Sequence, residues 1–511
     1  TNDGTGVILP YKQAIIQVTP TTGGATFSTV NLQVRNTTLN LQEYAQPIID
    51  LTISAACTSL AIAGSTVPLG LLEKCTILRH NLTSFASLFG STGLQWACKM
   101  LQSVSLPLNP QSNTLINTAN MFQFCRALQM APFFNTANVT NMTQMFSSCS
   151  SLISVPLYNT VNVTGMNSMF AGCYSLANIP TFNTIRVTDM AGLFANTLIT
   201  SAPLLNTSNV TSMGSMFAGC MLLPTIPLYD TSKVTDMSGM FSGMGSLASI
   251  PPLNTSNVTS MVSMFQGSPA LLTIPPLNTS KVTNMQSMFF QCNALQSIPP
   301  LDTANNVSLN NTFHTCPALT TIPLLNCQSV QNLSGAFINS YNLQSLPVMN
   351  LRSLSAQAGQ TFSGAVSLGS IQGFNNLVIP MSIAGSKLSG PALDLIYTSL
   401  PNVGGAVTFQ GNPTNTVTLA AHGYSNGDAV RFQTITTTTG ISINTNYIVR
   451  NVTTDTFQLS NVATPTGAIL TLTNNGTGTR VAPTITVTAN WGTASDNPAI
   501  ATAKGWTVTG S

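Results

Sequence analysis

His422, Ser425 and Asp428 place a base, a hydroxyl and a carboxylate within seven residues, the raw material of nucleophilic acyl transfer. A triad needs side chains that converge from separate elements. Here all three sit on one expected strand turn, whose geometry sends them to solvent or to local bonds, so a turn role is the reading taken. Acidic residues elsewhere offer no better site. The chain has 12 in all, they are scattered, and glycosidic cleavage requires two carboxylates facing one bond. Asp230 and Asp302 share a column of the repeat described below, yet they stand three coils apart and read as turn residues. Three histidines (His80, His314, His422) and no CxxC or Cys/His cluster leave nothing with zinc-ligand spacing. The sequence predicts no enzyme, no cofactor and no metal.

Cysteine leads from chemistry to architecture. Cys125, Cys149, Cys173, Cys220, Cys292 and Cys316 each stand three residues after a recurring phenylalanine, and Thr197, Met244, Ser268 and Ser340 fill the same column in other copies. Exchange with Ser, Thr and Met describes a small buried filler rather than a ligand or an essential bridge. Cys57, Cys75 and Cys98 lie outside the column and leave room for a disulfide. The phenylalanines are Phe122, Phe146, Phe170, Phe194, Phe217, Phe241, Phe265, Phe289, Phe313 and Phe337, spaced by 24 residues except for one gap of 23 after Phe194. A fixed period of this length is the mark of a stacked-coil protein. An apolar residue follows the Phe six on, proline ten on, and a short amide or carboxylate thirteen on: Asn135, Asn159, Asn183, Asp230, Asn254, Asn278, Asp302 and Asn326, while after Phe194 a one-residue deletion brings Ile199 and Pro203 one position early.

Each unit divides into two halves. Leu152 to Asn159, apolar with a proline, is too short for a helix and reads as a brief strand. Val163, Met166, Met169, Phe170 and Cys173 are spaced by three and four, which predicts one face of a two-turn helix capped by Thr164. So short a helix is marginal alone. Stacking supplies what is missing, because each coil buries its Met, Phe and Leu against the next. The Asn/Asp column then closes the inner turns by bonding backbone groups. Tyr158 and Tyr229 can stack on sugars if exposed, but Phe134, Phe182, Leu205 and Leu253 hold the same column and favour a shared core.

Only 5% of the residues are charged and the net charge is +3, against about a quarter charged in ordinary soluble domains. Lys and Arg do not cluster, which argues against nucleic acid as a partner. So uncharged a surface has little repulsion between copies, so self-association is expected. No apolar run reaches membrane-spanning length, and the start at Thr1 shows neither a basic n-region nor an apolar h-region. N-x-S/T sequons at Asn138, Asn141, Asn162, Asn209 and Asn257 are read as a by-product of Asn/Thr-rich turns.

Four segments follow. Residues 1–80 alternate β-branched and polar side chains and predict a small antiparallel β domain. Residues 81–413 form the repeat array, with Leu82, Phe85, Leu88 and Phe89 as a degenerate first helix and a true helix expected over 391–401. Residues 414–481 change to short strands at 416–419, 427–432, 446–449, 456–459 and 469–472, a small barrel or sandwich inserted into the last coils. Residues 482–511 return to strand, helix and strand, with Trp506 as the cap on the open end of the core.

The string Val-Thr-x-Met-x-x-Met-Phe-x-x-Cys-x-x-Leu-x-x-Ile-Pro-x-Leu-Asn-Thr, repeated over 112–350, resembles the BspA-like leucine-rich repeats of bacterial surface proteins and some viral proteins. That resemblance implies an α+β repeat solenoid with flanking and inserted small β domains. It implies adhesion or display rather than chemistry. Residues 421–430, with Tyr447 to Val449 and Thr456 to Leu459, are similar to small β modules of phage tail and fibre proteins, and 391–411 and 496–510 look like the C-terminal ends of phage proteins bearing such repeats. The expectation from these likenesses is a non-enzymatic protein on a bacteriophage virion surface, as fibre, spike or decoration, partnered by other virion structural proteins and by its own copies. The alternative is a bacterial cell-surface adhesin that binds a host protein or glycan through its repeat array.

Overall fold

The computed structural model describes residues 30–31, 50–53, 60–61, 72–77, 83–90, 98–106 and 114–354, and most of 358–510. Within that last stretch it leaves out 359, 378, 402–405, 411–413, 420–423, 425, 427–428, 437–439, 443–444, 462–468, 473–475, 481–483, 488–489, 491–492 and 494. The chain forms two compact units, residues 1–162 and 163–511.

In the first unit the described strands are β1 (Val30–Asn31), β2 (Asp50–Ile53), β3 (Leu60–Ala61), β4 (Lys74–Ile77) and β5 (Ser103–Ser105). All pair in parallel: β1 with β3, and β4 between β2 and β5. An antiparallel domain was the expectation for this region. The register corrects it, because Asp50 lies beside Lys74, one 24-residue coil later, and a parallel pair needs a crossover rather than a hairpin. Most of the rest of residues 1–80 falls outside the described residues. Further on, Phe89, Phe122 and Phe146 stack with centroids 5.4 and 5.3 Å apart.

In the second unit the repeat Phe rings stack from Phe170 to Phe337 and on to Phe362, each pair 5.5 to 6.3 Å apart. The column of Met213, Met237, Met261 and Met285 and the leucines six after each Phe are fully buried beside them. The expected helical halves are not helices. Around Phe217, Ser215 and Gly219 have φ of 54° and 72°, and two left-handed residues within five break any α-helix. Backbone donors instead alternate. Met213, Ser215, Phe217 and Gly219 give their N–H to carbonyls of the following coil, while Met216, Ala218 and Cys220 return theirs to residues three earlier in their own coil. Short parallel bridges run from Gly165 through Asp189, Ser212, Asp236, Ser260, Asn284 and Ser308 to Asn332. Thr211, Thr235 and Thr259 do not cap a helix, since their hydroxyls donate to the preceding coil's threonine carbonyls at 3.1 to 3.2 Å.

Beyond Phe337 come β6 (Ser345–Leu346), β7 (Met349–Asn350), β8 (Ser370–Ile371), β9 (Phe374–Asn375) and β10 (Met381–Ser382), then helix α1 (Gly390–Ser399). Ser389 caps α1 through its hydroxyl and Pro391 occupies the first turn, where a missing N–H is harmless. Leu393, Ile396 and Tyr397 form its buried face. A closed antiparallel barrel follows, made of β11 (Ala406–Gln410), β12 (Thr416–Thr418), β13 (Ala429–Thr436), β14 (Asn446–Arg450), β15 (Thr456–Asn461) and β16 (Gly476–Arg480), in the order β11-β12-β15-β14-β13-β16. Its core takes alternate residues from β13, β14 and β15, Val430 and Phe432, Tyr447 and Val449, Phe457 and Leu459, with Phe409 from β11 and Val417 from β12.

Two expectations are corrected here. The barrel begins before 414, because β11 pairs with both β12 and β16. Residues 469–472 are not a strand; closure falls to β16, whose Gly-Thr-Gly-Thr sequence lacks the apolar alternation that marks its neighbours. The chain ends in β17 (Thr484–Thr486), α2 (Ala499–Ala503) and β18 (Thr507–Thr509). Met381 pairs with Ile485, and Ile485 with Val508, all in parallel. The first of these steps is 104 residues and the second 23, and Ala358 to Met381 is also 23.

Candidate functional site

His422, Ser425 and Asp428 lie outside the described residues. Among the described residues no three His, Cys, Asp or Glu side chains gather as a metal site. Asp230 and Asp302 each close a local turn, accepting from the N–H of Ser232 and Ala304 at 3.0 Å. The N–H and hydroxyl of Ser232, with a smaller contribution from Lys233, hold the Asp230 carboxyl below its ordinary range, the opposite of what a general acid requires. His314 rests against Phe290 at 4.8 Å and bonds Thr315 Oγ1 at 2.8 Å. Partial burial lowers its pKa, so it is a neutral packing residue at pH 7.

The Asn/Asp column is a line of staples. Asn135, Asn159, Asn183, Asp230, Asn254, Asn278, Asp302 and Asn326 each accept through Oδ1 from the N–H two residues on. The threonine behind them reaches across: Thr207, Thr231, Thr255, Thr279 and Thr303 donate to the next coil's Asn or Asp carbonyl at 2.8 to 3.0 Å. Asn206 completes the column and was not foreseen. The one-residue deletion after Phe194 moves it forward, as it moves Ile199 and Pro203, and that shift was the signal.

A second staple explains the sequons. Asn209 and Asn257 donate Nδ2 to Ile185 and Ser232 carbonyls at 2.8 Å and accept from Lys233 and Lys281 Nζ at 2.7 Å. Their amides serve the array. The tyrosine column is interior, since Tyr158 and Tyr229 are buried and donate their hydroxyls to Pro132 and Pro203 carbonyls at 2.8 Å. Neither ring is available to a sugar. Trp506 is buried as well, its indole N–H donating to the Pro401 carbonyl at 3.0 Å. Cys75 and Cys98 are both buried, and Cys57 lies outside the described residues.

What faces outward is the position one before the tyrosine column, directly after the repeat proline. In the first unit it holds Phe133 and Leu157, both well exposed. In the second it holds Leu204, Leu228 and Leu324, exposed to 64, 61 and 65%, with the exposed prolines Pro252, Pro276 and Pro300 between them. Sequence reasoning passed over this column. Its signal was present, because an outward position that repeats Leu or Pro departs from the Ser, Thr and Asn of the other exposed columns.

Stacked coils, stapled turns and an outward apolar column define a repeat protein. Residues 116–225, 201–272, 221–322 and 272–371 match the family described as "Mycoplasma protein of unknown function, DUF285". These matches together span half of the chain, which belongs to that family. No curated protein matches it. Among solved structures it is similar to a leucine rich cell surface protein from Faecalibacterium prausnitzii, at 18% identity over 64% of this chain and 88% of that one, with a TM-score of 0.36. It is also similar to a leucine-rich repeat protein from Eubacterium ventriosum (18% identity, 62% and 82% covered, TM-score 0.37) and to one from Bacteroides ovatus (17% identity, 51% and 82% covered, TM-score 0.26).

The family match corrects the virion expectation. Its description is of a bacterial protein. Fibre, spike and decoration roles, a virion location and virion structural partners are therefore set aside.

Proposed function

We propose that this chain is a BspA-like surface protein of a bacterium, an adhesin whose repeat array contacts a host protein or glycan by many weak touches. Family membership supports a bacterial source. The observation that carries the reading is the repetition of one outward pattern along the coils of the second unit, with Lys233 and Lys281 bonded to Asn209 and Asn257 on exposed turns. An array that offers the same small set of groups at each coil suits multivalent contact, since each touch raises the effective concentration of the next. Hydroxyls, amides and a few lysines on those turns are the groups that meet a glycan or a polar protein surface.

In this reading the repeat array runs from about 81, is interrupted by the small barrel, and resumes at about 482 to end under Trp506. The register supports the interruption: the 104-residue step from Met381 to Ile485 exceeds its 23-residue neighbours by 81 residues, enough to hold β11 to β16. The turn staples and the Phe stack stiffen the coils within each unit, and the barrel loops form a second contact zone. The test is antibody labelling and protease shaving of intact source cells. Labelling without permeabilisation, and loss of host-cell binding after shaving, are expected; a chain reached only in lysed cells overturns the proposal.

A further inference from the structure

We infer that the proline face of the second unit is a self-association surface, on which a second copy of this chain docks antiparallel about a two-fold axis at Pro252. The face comprises five residues from each of seven successive coils, 177–181, 200–204, 224–228, 248–252, 272–276, 296–300 and 320–324, and holds no charged residue. The charges of these coils stand elsewhere, on Arg186, Asp189, Asp230, Lys233, Asp236, Lys281 and Asp302. Single exposed leucines are ordinary on a protein surface. The strip is uncharged throughout, with leucine exposed beyond 60% in three of its coils and a small hydroxyl residue exposed beside them at Ser201, Thr225, Ser249, Thr273, Ser297 and Thr321, a composition suited to an interaction surface.

Size and shape select the occupant. Seven coils at about 4.8 Å, each giving about five residues of about 3.3 Å, make a strip of roughly 34 by 16 Å, or about 1,100 Å² in total when two copies meet. That reaches the lower range of specific protein interfaces. The outermost column reads Thr181, Leu204, Leu228, Pro252, Pro276, Pro300, Leu324. Reversed about Pro252, it sets Leu204 against Pro300, Leu228 against Pro276 and Leu324 against Thr181, so every protruding side chain meets a flatter one. Such a patch is complementary to its own copy, as a two-fold interface requires. It also brings no like charges together, and it offers nothing by which an acidic or basic partner would be selected.

The experiment is sedimentation equilibrium on the purified full chain, with far-UV circular dichroism and melting as controls, and it reads self-association independently of where the chain resides in a cell. Native protein is expected to be dimeric by about 100 µM. The double variant Leu228→Asn, Leu324→Asn is expected to dissociate at least about 100-fold more readily, because buried leucine surface is lost in both copies, with spectrum and melting unchanged since both residues are exposed. Pro252→Cys is expected to form a disulfide dimer under mild oxidation, whereas Ser256→Cys on the outer turn does not. A native chain that stays monomeric, a double variant that dimerises as tightly as native, or cross-linking at 256 and not at 252 overturns the inference.

Discussion

The thiol of Cys292 donates to the carbonyl oxygen of Phe265, 27 residues earlier, at 3.1 Å. Cys316 does the same to Phe289 at 3.1 Å, and Ser268 and Ser340 to Phe241 and Phe313 at 2.7 Å. The column is therefore more than a filler. It supplies one buried donor across the coils, which at Phe265 and Phe289 joins a backbone N–H that the same carbonyl already accepts, from Ser268 and Cys292.

Cys292→Ser should keep the fold at neutral pH, because Ser268 and Ser340 already make the same bond in the same column. Cys292→Ala should lose about 1 kcal/mol for the missing bond. The two variants also separate at high pH. Burial pushes the thiols of Cys98, Cys292 and Cys327 up to about 12 from about 9. A group whose folded pKa is raised stabilises fully below its unfolded pKa, and that stability is lost as pH rises toward the folded value. Urea midpoints should thus fall between pH 9 and pH 12, and fall less in Cys292→Ser. An equal fall in native protein and variant would count against the thiol.

Phe241 sits between Phe217 at 6.3 Å and Phe265 at 5.6 Å, fully buried. Phe241→Ala should leave a cavity in mid-array worth about 3–5 kcal/mol. Because each coil leans on its neighbours, the loss should appear as faster amide exchange in the coils on both sides. Exchange confined to the mutated coil would show that the coils of this unit do not fold together.

The period, the Phe stack and the Asn column were legible because each is a position that stacking makes repeat. The conformation between them was not. Met213, Met216, Phe217 and Cys220 have helical spacing and share a buried face, yet Ser215 and Gly219 hold left-handed backbone on either side of the Phe. Side-chain spacing reports which residues face inward and says nothing of φ; the glycines two after Phe170, Phe217, Phe241 and Phe265 were the available warning. The barrel's β16 was hidden for a related reason, since Gly476 to Arg480 is recruited by pairing with β11 and β13 rather than by its own propensity. The outward proline column is legible only against its neighbour, since Leu204 and Leu228 are exposed while the aromatic and leucine column one residue on, Leu205 and Tyr229, is buried.

Asn306 occupies a column that holds Val187, Val210, Val234, Val258, Val282 and Val330 elsewhere, and it is fully buried. Its Oδ1 accepts from Ser308 at 3.0 Å, but its Nδ2 has no partner. Asn306→Val gives up one bond, removes an unpaired buried donor and restores the apolar filling of the column. The variant should be more stable by about 1–2 kcal/mol, read as a higher urea midpoint. A destabilised variant would mean that the amide has a use the array depends on.

Removal of the barrel tests its independence from the coils around it. Its two flanks are held to each other without it: Asn490 accepts from Ser386 and donates to the Ile383 carbonyl at 3.2 Å, Tyr397 donates to Asp496 at 2.7 Å, and Lys504 donates to the carbonyls of Thr398 at 2.5 Å and Leu400 at 2.8 Å. The ends also lie near one another, since the Pro401 carbonyl takes the Trp506 indole N–H while Thr484 pairs with Thr507, the next residue. Replacing 403–482 by a short Gly-Ser linker should therefore leave β10, β17 and β18 paired, because an insertion is tolerated only where its ends suit a short connection. The shortened chain should melt within a few degrees of the parent, and the excised barrel, with its own closed sheet and core, should fold alone. Rapid amide exchange at Ile485 and Val508 in the shortened chain would show instead that the last coils need the barrel to hold their register.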